Sequence, residues 1–470
     1  MTQTFHPRTT HAKLGPDFYD PVQAATFPEH ILRYRNQRAA ASAGLESLCD
    51  DEWIAHFGRF EPLPGSLEQP LALRYHGHQF QTYNPDLGDG RGFLFAQLDE
   101  LESGRLLDLG TKGSGRTPWS RGGDGRLTLK GGVREVLATS MLEALGVNTS
   151  KSLSLIETGE ELVRGDEPSP TRSSVLVRLS HGHVRIGSFQ RLSYLKEEEN
   201  LGRLLDHAVQ TYYPDLWREG DNARAAKFLG AVSGAVAETG ARWIAAGFVH
   251  GVLNTDNINI TGESFDYGPW RFLPSYDPGF TAAYFDQHGL YAFSKQPETL
   301  AWNLTKLAEV LLPRGEHAEM EAALNRFWPA FQRSIRAAVL DRLGLASLGD
   351  EADSELVREV YNFLGESQAP YEQFFFDWRG GDAGRAMRSP AAGHYSGAAF
   401  EVLHGLIAAH PQAANANLDH RYFAREVPRT MLIEEMEALW APIAEADDWS
   451  AFYRVLGEIE EMREAYSAAR

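Results

Sequence analysis

Residues 248–270 read FVHGVLNTDNINITGESFDYGPW, with two aspartates, three asparagines and a histidine set among apolar residues. Asp256 and Asn257 are followed by a β-like run at 258–260 and a glycine-containing turn at 261–263, and Asp266 comes next. Two neighbouring strand ends would then bring the Asn257 oxygen and the Asp266 carboxylate together. Hard divalent cations such as Mg²⁺ or Mn²⁺ take oxygen ligands of this kind, commonly shared with substrate phosphates. A turn-capping cluster, in which Asn and Asp satisfy loop backbone groups, explains one or two of these residues. It does not explain an Asp-Asn pair plus a second Asp-Tyr-Gly. The stretch therefore reads as a metal–nucleotide site, with Asp256 suited to accept a proton from a hydroxyl nucleophile.

Working outward, the question is what would grip phosphate. LGDGRG at 87–92 lies between predicted strands, where Gly88 and Gly90 would let backbone N–H groups approach an anion and Arg91 adds positive charge. Taken alone, the triplet reads first as a hairpin turn. It is not a Walker A loop, because no Gly-Lys-Ser/Thr opens a helix there. Lys112 closes a predicted strand at 105–111, and Glu135 on the following helix is placed to hold it; two unrelated surface residues would look the same. GDGR at 123–126 puts Asp124 and Gly125 before that helix, near the kind of N-terminus that favours anions. Arg178 interrupts an apolar strand and Arg185 repeats the pattern, so each needs a carboxylate or a phosphate. His76, His78, His181 and His183 form no convincing metal set.

The bulk properties narrow the partners. A chain of 470 residues exceeds one ordinary core, so two lobes are expected. A net charge of −19 argues against nucleic acid or an anionic membrane as partner, and makes any local gathering of arginines stand out. The single cysteine, Cys49, excludes an internal disulfide and a multi-thiolate zinc site. The N-terminus lacks an apolar signal core and no apolar run approaches a membrane span, so the expected location is cytoplasmic; the expected state is a monomer.

The expected layout is α+β. Residues 1–65 read as an extension packed on the fold, with helices at 29–43 and 45–57. Residues 66–195 read as a β-rich lobe, with strands at 71–75, 93–98, 105–111, 152–157, 173–179 and 183–189. A helix at 131–145 carries Val133, Leu137, Met141 and Leu145 on one face. Its other faces are hardly polar, so it should be covered on more than one side. Residues 196–470 read as a mainly helical lobe, with helices at 200–213, 222–246, 297–312, 317–343, 354–364, 397–409 and 429–446.

In order, glycine loop, strand lysine, helix glutamate, catalytic loop and metal aspartate resemble the protein-kinase layout. Two departures matter. The aspartate that kinases place five residues before the metal asparagine is here Val252, and Asp-Tyr-Gly at 266–268 stands where Asp-Phe-Gly would be. With GHQFQTYNPDLGDGRG, KGSGRTPWSRGGDGR, VLVRLSHGHVRIGSF, HGVLNTDN and SYDPGF, the chain resembles the selenoprotein O (SelO) family over about residues 71–313. That resemblance implies a kinase-like bilobal fold and transfer of AMP from ATP to Ser, Thr or Tyr hydroxyls of proteins, releasing pyrophosphate. UTP with manganese would be a second donor.

The resemblance also implies roles. Gly88, Gly90, Arg91, Lys112, Asp124, Gly125, Arg178 and Arg185 would surround a nucleotide bound in reverse of the kinase sense, with Glu135 holding Lys112. Asp256 would be the proton acceptor, and Asn257 and Asp266 would hold Mg²⁺ or Mn²⁺, with Asp266 also facing the nucleotide. The protein substrates are not specified. The C-terminal cysteine or selenocysteine of many members has no counterpart in EAYSAAR, so thiol control is not expected. Two other readings share these motifs: γ-phosphoryl transfer, and a nucleotide-binding scaffold without chemistry.

Overall fold

The computed structural model describes residues 4–165 and 167–467. The terminal residues 1–3 and 468–470, on which the readings of the two chain ends partly rest, lie outside the described residues. The architecture is mixed α/β, with a sheet in the N-terminal region and a largely helical C-terminal region.

The apolar alternation between residues 71 and 180 closes into one antiparallel sheet. Its order is Tyr19–Pro21, Leu71–Leu73, Leu94–Asp99, Leu106–Lys112, Thr171–Ser180, Lys151–Leu162, Ile31–Arg35. Residues before 66 thus supply both outermost strands of the sheet. The central strand Leu106–Lys112 is buried at every position, because both faces are covered. One face packs on Trp53, Phe57 and Phe60 from the N-terminal segment. Across the other lies the helix Leu129–Ala144, whose N-cap Thr128 accepts a hydrogen bond from the Gly131 amide. Gly132 sits so close to the sheet that an added Cβ would lie 2.4 Å from a Leu155 methyl.

That helix has no fully exposed residue, for a reason the sheet alone does not supply. The last helix, Ser450–Ser467, packs along it. The turn before that helix is tied to the sheet as well: the Asp447 carboxylate takes Arg172 at 2.6 Å and Arg33 at 3.0 Å.

Several sequence expectations change. The helix expected at 29–43 is the strand Ile31–Arg35 followed by a short helix, Gln37–Ser42. The open edge of Lys151–Leu162 captures Ile31–Arg35, and tertiary pairing outweighs local propensity. Only Asp50–Phe57 of 45–57 is helical. The strand expected at 183–189 is the helix Ile186–Tyr194, with Arg185 as its extended N-cap. There Gly187 is pressed against the His76 carbonyl oxygen, 2.1 Å from where a Cβ would stand. The single helix expected at 317–343 is two, His317–Leu324 and Phe327–Leu343. Tyr371–Asp377 and Ser450–Ser467 are helices the sequence reading left out. No helix among the described residues is long and apolar enough to cross a membrane.

Trp53 tests whether the first 65 residues fold with the sheet. It is fully buried, its Nε1 donates to Ser154 Oγ at 2.9 Å, and the Arg35 guanidinium lies 4.1 Å over its ring. Trp53→Ala is expected to lower the unfolding free energy by about 3–5 kcal/mol, seen as a shift of the main urea transition. A main transition left at its wild-type midpoint beside a separate early one would show an independent N-terminal unit.

Candidate active site

Between the sheet and the helical region lies a cleft of about 770 Å³. Gly88, Gly90, Arg91, Lys112, Asp124, Gly125, Arg178, Arg185, Asp256, Asn257 and Asp266 all line it. Glu135 does not; it stands behind Lys112.

The stretch 248–270 is built as a loop with a closed neck. Phe248–His250 pairs antiparallel with Trp270–Phe272, and the Gly251 amide donates to the Pro269 carbonyl at 2.8 Å. These are the strands; the run expected at 258–260 is not one, and makes only an isolated bridge from Asn259 to Arg185. Inside the neck, buried His250 accepts from the Val252 amide at Nδ1 (3.3 Å), so Nε2 carries the proton and donates to the Phe265 carbonyl (3.3 Å). Burial holds this imidazole neutral by pushing its pKa down to about 4. His250 thereby fixes the two limbs that carry Asp256 and Asp266. Further buried bonds pin the first limb: Asn303 Nδ2 to the Leu253 carbonyl (2.8 Å), Tyr291 Oη to Asn254 Oδ1 (2.7 Å), and Thr255 Oγ1 to Gln190 Oε1 (2.6 Å).

The two aspartates end in opposite electrostatic states. Asp256 is 7% exposed, and its Oδ1 is buried with no hydrogen-bond partner among the described residues. Burial pushes its carboxyl up to about 6, with nearby Arg185 pulling the other way. Asp266 adopts a left-handed backbone (φ +63°), while Tyr267 beside it is buried and bonded to Thr149 Oγ1 (2.5 Å) and Ser264 Oγ (2.6 Å). Anchoring the tyrosine turns the aspartate to the cleft, where Lys112 Nζ lies 2.7 Å away and Arg178 Nη1 3.5 Å away. Burial opposes its ionisation, but Lys112, Arg178, Arg185 and Arg91 together hold the carboxyl well below the usual range.

Lys112 also bonds Glu135, so the ammonium bridges sheet, helix and loop. Asn257 Nδ2 donates to the Val252 carbonyl (3.0 Å), leaving its amide oxygen without a protein donor among the described residues. An ionised carboxylate and a free amide oxygen on one wall fit a hard cation that completes its shell with phosphate and water. No group of three or more His, Cys, Asp or Glu suited to a metal occurs among the described residues.

The arginines complete the positive wall. Arg185 donates to the Asp256 carbonyl (3.1 Å) and to buried Asp89 (3.3 Å), yet its Nε and that of Arg178 are buried without partners among the described residues. Unsatisfied guanidinium donors at a cleft wall suit an anionic ligand. The glycines stand where a side chain would not fit. A Cβ at Gly88 would lie 2.4 Å from the Trp119 ring, one at Gly90 2.9 Å from the Trp119 carbonyl, and one at Gly125 (φ +71°) 2.2 Å from the Gly115 carbonyl. They let two loops lie on each other, and that packing presents Arg91 and Asp124 to the cleft. Asp124 is bound by Arg164 at 2.8 Å, a lining residue the sequence reading missed because nothing in its loop marks it. Arg121 and Arg126 also line the cleft and were legible in RGGDGR, though not singled out.

Comparison with known proteins agrees in direction. The profile of the family described as "Protein adenylyltransferase SelO" matches residues 1–460. A protein from Gloeobacter violaceus called "Protein nucleotidyltransferase YdiU" is 46% identical over 473 residues, 97% of this chain and 95% of its own. Proteins of the same name from Synechocystis and Vibrio cholerae are 50% and 37% identical, covering 78% of this chain and 77% and 74% of theirs.

The Asp256 environment sets a test. Its raised pKa means that folding favours the neutral carboxyl; the stability this brings is full below the ordinary value of 3.8 and is lost as pH rises through about 6. Asp256→Asn, which keeps the shape without the charge, should therefore stabilise the fold at neutral and alkaline pH, by up to about 3 kcal/mol. The gain should vanish as the pH falls towards 4. A pH-independent gain, or none at neutral pH, would contradict an uncompensated carboxylate here; thermal melts across the pH range decide it.

Proposed function

The chain belongs to the protein adenylyltransferase SelO family, and from that membership we propose how its cleft moves AMP from ATP to hydroxyl groups of proteins. The chain is an enzyme of the nucleotidyltransferase class. The proposal assigns it a kinase-like bilobal arrangement, with the nucleotide between the sheet and the helical region. The observation that carries it is Asp256: buried, unpaired at Oδ1, and set beside Asn257 and Asp266 while Val252 occupies the position of the usual kinase base.

A Ser, Thr or Tyr hydroxyl oxygen attacks the α-phosphorus of ATP. Its proton passes to Asp256, a new phosphorus–oxygen bond forms, and the bond to the β-phosphate bridging oxygen breaks, releasing pyrophosphate. An acceptor with a pKa of about 6 is ionised at neutral pH yet basic enough to take the proton. Such transfer depends chiefly on positioning and charge neutralisation. Lys112, Arg91, Arg178 and Arg185 supply fixed positive charge along the triphosphate, and Glu135 keeps the lysine aimed. Asn257 and Asp266 are the residues that would hold Mg²⁺ or Mn²⁺, which adds charge neutralisation of the phosphates when bound. UTP with Mn²⁺ is the second donor for the same machinery.

Labelled ATP distinguishes the transferred group. With Mg²⁺ or Mn²⁺, label at the α-phosphate is expected to enter protein and label at the γ-phosphate is not; the reverse would overturn the proposal. Asp256→Ala should slow transfer by about 10²- to 10⁴-fold with ATP affinity nearly kept. Asp266→Ala should abolish metal-dependent transfer and weaken nucleotide binding as well. Equal loss of ATP affinity in both variants would contradict this division of roles. The acid limb of kcat/KM should fall through about pH 6, reporting Asp256 in the free enzyme.

A further inference from the structure

Beside the cleft, a short hairpin pairs Gly77–Gln79 with Thr82–Asn84, and its two turn residues, Phe80 and Gln81, both have left-handed backbones (φ +48° and +61°). Such a turn ordinarily takes Asn-Gly, and a phenylalanine there is held against its own preference. The turn is fixed by its backbone: the Phe80 amide donates to Asn254 Oδ1 and Tyr291 Oη, both at 3.1 Å. Any residue could make those bonds, glycine included, so they do not explain the phenyl ring.

The ring packs on the buried Tyr291 ring at 5.0 Å, yet it stays 39% exposed and joins two further aromatic rings at the surface. Phe285 stands 5.8 Å from it and is 45% exposed; Tyr284 packs edge-on to Phe285 at 5.2 Å and is 87% exposed. Tyr284 is the most exposed of the large hydrophobic side chains among the described residues. Clustered exposed aromatics mark contact surfaces, where large rigid rings give area at little entropic cost.

This patch is continuous with the catalytic wall. Gln79, the residue before Phe80, lines the cleft, as does Asn254, which binds the Phe80 amide and lies two residues before Asp256. A polypeptide presenting a hydroxyl to Asp256 passes an edge of the cleft, and beside this edge the three rings offer it an uncharged aromatic surface in a chain of net charge −19. We propose that Phe80, Tyr284 and Phe285 form the platform that holds the protein substrate, taking large apolar side chains that lie within a few residues of the acceptor hydroxyl. The inference rests on the reading of proteins as acceptors, and it adds what kind of sequence is accepted.

Fluorescent Ser-containing peptides, with Leu or Phe placed in turn at each position around the serine and Gly elsewhere, test it by two readouts. Anisotropy measures binding with ATP present, and label from α-labelled ATP measures transfer. The wild type is expected to bind peptides with Leu or Phe at one or two fixed positions at least 5-fold more tightly than the all-Gly peptide. Tyr284→Ser/Phe285→Ser should remove that preference and leave ATP affinity unchanged. Tyr284→Ser alone, at a site too exposed to disturb folding, should weaken it by about 2- to 3-fold. No positional preference in the wild type, a preference for Arg or Lys instead, or a preference retained in the double variant would overturn the platform. Selective binding lost in the variant without transfer of α-label would uphold the platform and count against adenylyl transfer.

Discussion

A buried ammonium with two carboxylate partners organises this protein. Lys112 is 4% exposed and reaches Glu135 on the helix and Asp266 on the loop, 23 and 154 residues further along the chain. Removing such a group from water costs several kcal/mol, repaid only when partners and geometry are fixed. The surrounding construction does that fixing. The sheet buries the lysine's strand on both faces, Thr128 caps the glutamate's helix, and Tyr267 locks the loop so that Asp266 turns inward. Arg178 and Arg185 offset the second carboxylate, and their unpaired Nε atoms leave the cleft wanting an anion.

Asp256 and Asp266 share one loop and differ through their surroundings. Asp256 is deeply buried, with burial outweighing the pull of Arg185, and it faces the bare backbone of Gly77, where a Cβ would come within 3.0 Å of Oδ1. Asp266 lies among four cations. Environments that push two carboxyls apart in pKa suit them to different work, which on the proposed reading is proton acceptance for Asp256 and charge binding for Asp266. Neutral His250 between the limbs keeps their spacing without adding a charge of its own.

Most of this loop was legible because its residues are polar where a strand–loop–strand pattern predicts apolar ones. Lys112 and Glu135 were legible only as a possibility, since a lysine at a strand end and a glutamate on a helix are commonplace. Their contact depends on how helix Leu129–Ala144 crosses the sheet. Local patterning failed where distant partners decide: Ile31–Arg35 is a strand because an open edge awaits it, and 183–189 departs from a strand because Gly187 meets His76. Arg164 carries no local signal at all; only its approach to Asp124 makes it part of the cleft. The glycines of LGDGRG stand out in the sequence, but the close packing of Gly88 and Gly90 on Trp119 is visible only in the fold.

The last helix, Ser450–Ser467, lies along the helix that carries Glu135. On the ribosome, Lys112 and Glu135 emerge long before residues 450–467, the surface that covers the glutamate's helix. Loop closure over so long a span is slow, and an apolar helix left uncovered meanwhile invites non-native association. The kinase-like order of motifs therefore does not translate into stepwise assembly. Nascent chains stopped short of residue 450 would be candidates for chaperones or proteases, with the site's central ion pair still unformed.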